Sequence, residues 1–378
     1  MTAAGLIFSN IHDQSIPQMT ATRTMASLPF GGRYRLVDFA LSNMVNSGIT
    51  KVGIVTHNNY RSLMDHIGTG KDWDLARRGG GVILLPPFVT AYENPRAGKL
   101  YTTRLEALMG VMEFIKHCSE GAIVLSDCDA ICNIDLSAVL EEHEEDGADL
   151  TIVTKEMHLS RSESGGGNAI VYADEDGNVT EVVEHTRLLR GEYDVSTNIM
   201  VFSKSFLLTL LLDALAHGYT AFYQQALSYA MGSARIKIFR HDGYYAKINS
   251  LSHYFYANIA LLRAQTRDAL FNVKDRPIYT KVRNSPPTRY GDGAVVANAL
   301  IADGCRIEGT VVNSILFRGV QVRRGTVVKN SVLLQDSGTG ENVTLNCVIA
   351  DKNVMIRDAR TLSGHESLPF YIGKGKMV

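Results

Sequence analysis

The chain has 378 residues, 45% of them hydrophobic and 20% charged, with a formal net charge of −1. That length suits two domains with real cores, and the near-zero charge gives no footprint for a nucleic-acid or membrane-surface binder. The five cysteines (Cys118, Cys128, Cys132, Cys305, Cys347) form no CxxC pair and read as reduced thiols of a cytoplasmic protein. The start of the chain has no basic region before its apolar residues and does not read as a signal peptide. The most apolar stretch, "FLLTLLLDALA" (206–216), is interrupted by Thr209 and Asp213 and is too short to span a bilayer.

In chain order, a short apolar strand (Gly5 to Phe8) runs into the loop Ser9–Ile16. Helical spacing of Leu36, Ala40, Leu41, Met44 and Val45 predicts a helix that Gly48 terminates. "KVGIVT" (51–56) reads as a buried strand, "YRSLMDHIG" as a short helix, 103–118 as one longer helix and "AIVLS" (122–126) as another strand. Strand, helix and strand at these spacings imply βαβ units in a largely parallel sheet. Ligands of such sheets sit beyond the carboxyl ends of the strands. Further on, "NAIVYADEDGNVTEVVEHT" predicts two strands around a turn at Asp176–Gly177. "SKSFLLTLLLDALAHG" predicts an amphipathic helix stopped by Gly218.

Residues 274–293 are rich in Pro, Gly and charge and read as a linker. Beyond it the period changes. Leu316, Val322, Val328 and Leu334 step by six, as do Ile301 and Ile307, and Val343, Ile349 and Met355. Six-residue steps of one aliphatic mark a hexapeptide parallel β-helix, with register breaks expected near 310 and 338–342. The glycine runs "RRGGG" (77–81) and "SGGGN" (164–168) lead into strands and do not open helices, so neither is a phosphate loop. His57, His66 and His253 lack metal-ligand spacing.

The block "SLPFGGRYRLVDFALSNMVNSGITKVGIVT" (27–56) closely resembles the N-terminal signature of bacterial glucose-1-phosphate adenylyltransferases, the ADP-glucose pyrophosphorylases. The likeness continues through "YTTRLEAL", "DEDGNVTEVVEHT", "VSTNIMVF", "GYYAKINSLSHYFYAN" and the repeat region. It implies a Rossmann-like α/β nucleotidyltransferase domain (1–275) with a mixed, mainly parallel sheet. A linker (276–293) and a left-handed parallel β-helix (294–378) follow. It also implies an activity: ADP-glucose and pyrophosphate made from ATP and glucose 1-phosphate, with Mg²⁺, by a tetramer.

Against that resemblance, several positions depart. The family's glycine-rich loop is here "SNIHDQSI", without a glycine and with Asp13 where the triphosphate would lie. The lysine before "PFGG" becomes Met25. The "GTADA" stretch becomes Thr103, Arg104, Leu105, Glu106 and Ala107, again without glycine. The catalytic aspartate matches Asp129, with Asp127 as a stand-in, and the second metal carboxylate becomes Lys247. On the sugar-phosphate side, the resemblance carries Glu184, His185 (a lysine in the family) and Ser196. Arg23, Arg33 and Arg35 match a basic segment implied to take an anionic effector.

These joint departures point to the GlgD-type branch: a non-catalytic or weakly catalytic second subunit. It would have no cofactor of its own, Mg²⁺ residing in a catalytic paralogue joined to it in a heterotetramer. Two alternatives stay open. One is a competent enzyme with a rearranged site, using Asp127 or Asp129 on the metal and Arg23 for the lost lysine. The other is a binding protein that senses sugar phosphates. An acyltransferase is disfavoured, because 301–361 contains no histidine.

Overall fold

The computed structural model describes residues 1–87, 101–159, 168–184 and 190–378. Among these residues the N-terminal part is built on a nine-stranded mixed sheet. Its parallel centre runs Ala122–Asp127, Ala3–Phe8, Lys51–Val55, Gly81–Leu85. Strand Ala3–Phe8 is buried from Ala4 onward, because both of its faces are covered. The helix Leu36–Asn46 crosses one face so closely that a Cβ on Gly5 would meet Met44 Sδ at 2.4 Å. On the other side of Ala122–Asp127 the long strand Gly191–Ser203 runs antiparallel and carries the sheet on to Leu150–Leu159, Ala169–Ala173 and Val179–Glu184. Its register breaks between Ser196 and Ile199, with Asn198 at φ 63°. A bulge of this kind re-aims side chains next to it.

The helix expected over 103–118 is two helices, Arg104–Gly110 and Met112–Lys116, which meet at a non-helical Val111 (φ −115°, ψ 17°). Among the described residues no single helix is long and apolar enough to cross a membrane.

The C-terminal part winds three five-stranded parallel sheets into a left-handed β-helix. Its first strand, Arg289–Tyr290, falls inside the segment read as a linker and pairs with Arg306–Ile307. Most turns of the coil take 17 residues, not the 18 that three six-residue steps require: Leu316 lies beside Leu333, and Leu333 beside Ala350. The step after Val328 is therefore five, and Leu333 fills the coil interior. Leu334, one further along, packs against the α/β core instead. For the same reason Met355 is 45% exposed while Ile356 is buried.

One hydrophobic cluster runs through both parts, joining Leu28, Phe30 and Tyr254 to Ile315, Val332 and Leu334. The joint is also polar. Arg23 of the α/β part bonds Asp351 of the β-helix, and the Tyr371 hydroxyl lies 3.0 Å from the Gln18 carbonyl.

Candidate functional site: a charged cleft at the strand ends

Strands Ala3–Phe8 and Ala122–Asp127 are adjacent and parallel, and Phe8 lies opposite Asp127. The loop after Phe8 and the turn after Asp127 therefore meet at one end of the sheet, where this architecture places its ligands. The loop folds as a single 3₁₀ turn, Asp13–Ser15, and a four-residue helix, Pro17–Thr20. Three of its backbone donors are used internally, the N–H groups of Asp13, Ser15 and Ile16 going to the carbonyls of Asn10, His12 and Asp13, and the Ser9 N–H goes to the Val55 carbonyl. The Asp13 carboxylate takes the Met25 N–H at 2.6 Å. Burial pushes the Asp13 carboxyl up to about 7, against the hydrogen bond from Met25 and the nearby His12. A phosphate cradle needs free N–H groups converging on one point. Here three of the N–H groups, those of Asp13, Ser15 and Ile16, point into the loop.

Both carboxylates of the cleft are buried, Asp127 and Asp129 each at 1% exposure. Arg104, at the N-terminus of its helix, donates from Nη2 to Asp127 Oδ2 and from Nη1 to the Tyr223 hydroxyl at 3.2 Å. Thr103 caps that helix through the Glu106 N–H. Tyr223 belongs to a π-helical turn, Phe222–Leu227, a local widening that often marks functional positions. His12 Nε2 lies 2.6 Å from Asp127 Oδ2 and 3.6 Å from Asp129 Oδ2. Burial opposes a charge on His12, but Asp129 and Asp127 outweigh it, so its pKa is raised. Burial likewise opposes the Asp127 charge, and Arg104 and His12 overcome it, holding that carboxyl below its usual range.

Lys247 ends the strand Tyr245–Lys247, which pairs antiparallel with Ala130–Cys132 and sets Lys247 opposite Ala130. The Ile248 N–H bonds the Asp129 carbonyl at 2.7 Å. From there the Lys247 ammonium opposes protonation of His12 and donates to Asn168 Oδ1 at 3.2 Å.

This donor set does not fit Mg²⁺. The ion wants an octahedron of oxygens. Asp127 Oδ2 already serves Arg104 and His12. Among the described residues Asp127 Oδ1 and both Asp129 oxygens lack a hydrogen-bond partner, and ligand atoms of His12, Asp127 and Asp129 lie within 4.8 Å of one another. But Arg104 already neutralises Asp127, Asp129 Oδ2 lies 3.6 Å from His12 Nε2, and Lys247 stands at the next register position. Sequence reasoning noted Arg104 only as part of a stretch that had lost its glycine, and missed His12. The signal was present: an arginine and a histidine occupy two segments that would otherwise face phosphate.

The other expected residues are spread more widely. Glu184 and Ser196 lie at one level of the sheet with the strand Ala169–Ala173 between them, since Glu184 pairs with Ala169 and Val195 with Ile170. Glu184 is exposed. Ser196 is fully buried, its hydroxyl 3.3 Å from the Tyr223 hydroxyl and accepting the Asn198 N–H at 3.2 Å. His185 and the run 164–167 lie outside the described residues. Met25 is buried in the apolar core.

The three arginines do not stay together. Arg23 is 4% exposed and bonds Asp351 of the β-helix and the Met19 carbonyl. That corrects its expected role as a substitute for the lost lysine, because its guanidinium is committed to the domain joint. Arg33 and Arg35 line a pocket with Lys281, Arg283, Arg318 and Lys352, where the β-helix meets the α/β part. Arg35 also donates to the Ser62 carbonyl at 2.6 Å. Burial, then Arg35 and Arg23, lowers the Lys352 ammonium to about 7.

Comparison with known proteins agrees with this architecture. The nucleotidyl transferase family profile matches residues 17–245, and the GlmU-like C-terminal hexapeptide profile matches 286–366. The glycogen biosynthesis protein GlgD of Bacillus subtilis is 33% identical over 371 residues, 98% of this chain and 95% of that protein. The glucose-1-phosphate adenylyltransferase of Thermosipho africanus is 33% identical over 80% of this chain and 72% of its own length. That of Bacillus thuringiensis is 31% identical over 90% of this chain and 89% of its own length. With matching domains in matching order, the chain belongs to the bacterial glucose-1-phosphate adenylyltransferase family, and its resemblance to GlgD runs almost end to end.

Proposed function

We propose that this chain is the non-catalytic or weakly catalytic second subunit of a glucose-1-phosphate adenylyltransferase, acting in glycogen synthesis in the cytoplasm. It joins a catalytic paralogue in a heterotetramer and alters that subunit's rate or substrate affinity, while Mg²⁺ belongs to the paralogue. The observation that carries this reading is the filled cleft: Arg104 and His12 on Asp127, beside a loop without glycine that bonds three of its N–H groups internally. Transfer of a nucleotidyl group depends on cations and donors aimed at developing phosphate charge. These residues are aimed at each other. The pocket of Arg33, Arg35, Lys281, Arg283, Arg318 and Lys352 supports a small anionic effector as the regulator.

The test is co-expression with the host's catalytic paralogue, with ADP-glucose formation assayed for each protein alone and for the mixture. The isolated chain is expected near background, and the mixture is expected to elute as one mixed tetramer with altered kinetics. Isolated turnover within about tenfold of a typical ~10 per second would restore the competent-enzyme alternative. Separate elution with unchanged paralogue kinetics, together with sugar-phosphate binding by the chain alone, would favour the sensor.

A further inference from the structure

We propose that Arg104, His12 and Lys247 are built-in counter-ions that hold the place of a divalent metal, so the cleft excludes the ion instead of merely binding it weakly. The inference deepens the degraded-site part of the reading above and does not depend on assembly with a paralogue.

Arg104 is held from four sides. It bonds Asp127 and the Tyr223 hydroxyl, and its guanidinium carbon lies 5.9 Å from the Phe222 ring centre and 5.8 Å from that of Tyr223. It is 8% exposed. Turning it aside would leave a buried carboxylate unpaired and strip the cation from two aromatic faces. His12 closes the cleft from the loop side, reaching both carboxylates. Lys247 stands on the strand beyond, opposite Ala130, its ammonium donating to Asn168 and near enough to oppose a charge on His12. Two buried carboxylates thus meet Arg104 and His12 directly, with Lys247 at the neighbouring strand end. A divalent ion entering here must displace Arg104 or lie beside like charge, and in a medium of low effective dielectric either costs far more than in water. An internal cation is also always present, whereas a dissolved ion is bound only in proportion to its concentration.

The anionic side of the missing substrate has a matching stand-in. Asp13 puts a carboxylate on the Met25 N–H, within the loop where the triphosphate is implied. His12 on Asp127 thus fastens the loop to the sheet, and Asp13 on the Met25 N–H fastens it to the turn Met25–Ser27.

The experiment measures Mn²⁺ binding to the purified full chain by the loss of the free-ion electron paramagnetic resonance signal, without partner or substrate. The wild type is expected to bind no Mn²⁺ at the cleft up to about 1 mM, and its thermal midpoint is expected to be the same in Mn²⁺ and in EDTA. Arg104→Gln combined with Lys247→Asp is expected to gain one Mn²⁺ site at least about tenfold tighter, and adding Asp129→Asn is expected to abolish it. One equivalent of Mn²⁺ on the wild type, lost in Asp129→Asn, overturns the proposal. So does a folded double variant, checked by circular dichroism, that binds no better than wild type. If the double variant does not fold, the wild-type arms decide alone: a midpoint raised by Mn²⁺ through Asp129 overturns the proposal, and an unmoved one supports it. Failure of the regulatory reading would appear instead as no complex with the paralogue, which this measurement does not touch.

Discussion

At the scale of single residues, the cleft shows how a site is lost by replacement and not only by deletion. Lys247 stands where the resemblance implies a metal carboxylate, so Lys247→Asp is the obvious reversion. It adds one ligand and removes one repulsive charge. It leaves Arg104 and His12 on Asp127, leaves Met25 in the core, and leaves the loop without glycine and with three N–H groups bonded internally. Each missing charge-stabilising contact typically costs about 10²–10³ in rate. ADP-glucose formation by the single variant is therefore expected to stay at the wild-type background in a coupled pyrophosphate assay. Strong activity would mean that the loop still accepts a triphosphate. Asp129 and Lys247 were legible in the sequence because each occupies a recognisable slot. The Arg104–Asp127 pair was not, because its members lie 23 positions apart and only the packing of helix on sheet brings them together.

At the scale of elements, the β-helix is specified by its corners as much as by its interior. Asn298, Asn313 and Asn330 take left-handed φ values of 46–47° at successive levels of one corner, and Cys347 continues the column at 52°. Asn298 donates to Asn313 along that column at 2.8 Å. Asparagine tolerates this conformation better than other chiral residues. Ala359 breaks the rule: it sits at φ 57°, exposed, without a polar side chain. A non-glycine residue there costs about 1–2 kcal/mol, which glycine's greater unfolded-state entropy only partly offsets. Ala359→Gly is accordingly expected to stabilise the fold by about 0.5–1 kcal/mol, seen as a rise of roughly 0.5–1.5 °C in a thermal melt. A fall would show that the corner gains more from stiffness than it loses to strain. The six-residue period revealed the β-helix but mis-set its register after Val328. An aliphatic one position away satisfies the same pattern, and only the docking of Leu334 onto the α/β core distinguishes the two.

For the whole molecule, the joint between the two parts controls both stability and the basic pocket. Asp351 accepts hydrogen bonds from Arg23 and, at 2.7 Å, from Tyr371, whose hydroxyl also reaches the Gln18 carbonyl. The β-helix thus grips the segment directly after the cleft loop. Removing one partner of a buried pair costs about 3–5 kcal/mol, because the other charge stays behind unpaired. Asp351→Asn should therefore lower the melting midpoint by about 5 °C or more, and an unchanged midpoint would mean the pair is not a structural anchor. The neighbouring Lys352 gives the pocket a pH response. Burial, Arg35, Arg23 and Arg283 lower its pKa to about 7, against the pull of Asp351. It is mostly neutral at pH 8 and mostly charged at pH 6. Sulfate, which stays a dianion over this range, should bind more tightly at pH 6 than at pH 8 by calorimetry. Lys352→Met should flatten that dependence.

The sequence alone determined the two-part architecture, the family, and the absence of glycine and lysine from the cleft loop. Each of these depends on local pattern or on matched positions: hydrophobic period, turn residues, and a signature block that survives almost intact. Only the tertiary structure decided what fills the cleft. It brings Arg104, His12, Asp127 and Asp129 to one strand end, sends Arg23 away to Asp351, and gathers Arg33 and Arg35 with Lys281, Arg283, Arg318 and Lys352. The reason is physical. Charge pairing at a buried site is set by distances between segments far apart in the chain, and a residue's partner is fixed only when helices, sheet and β-helix pack together.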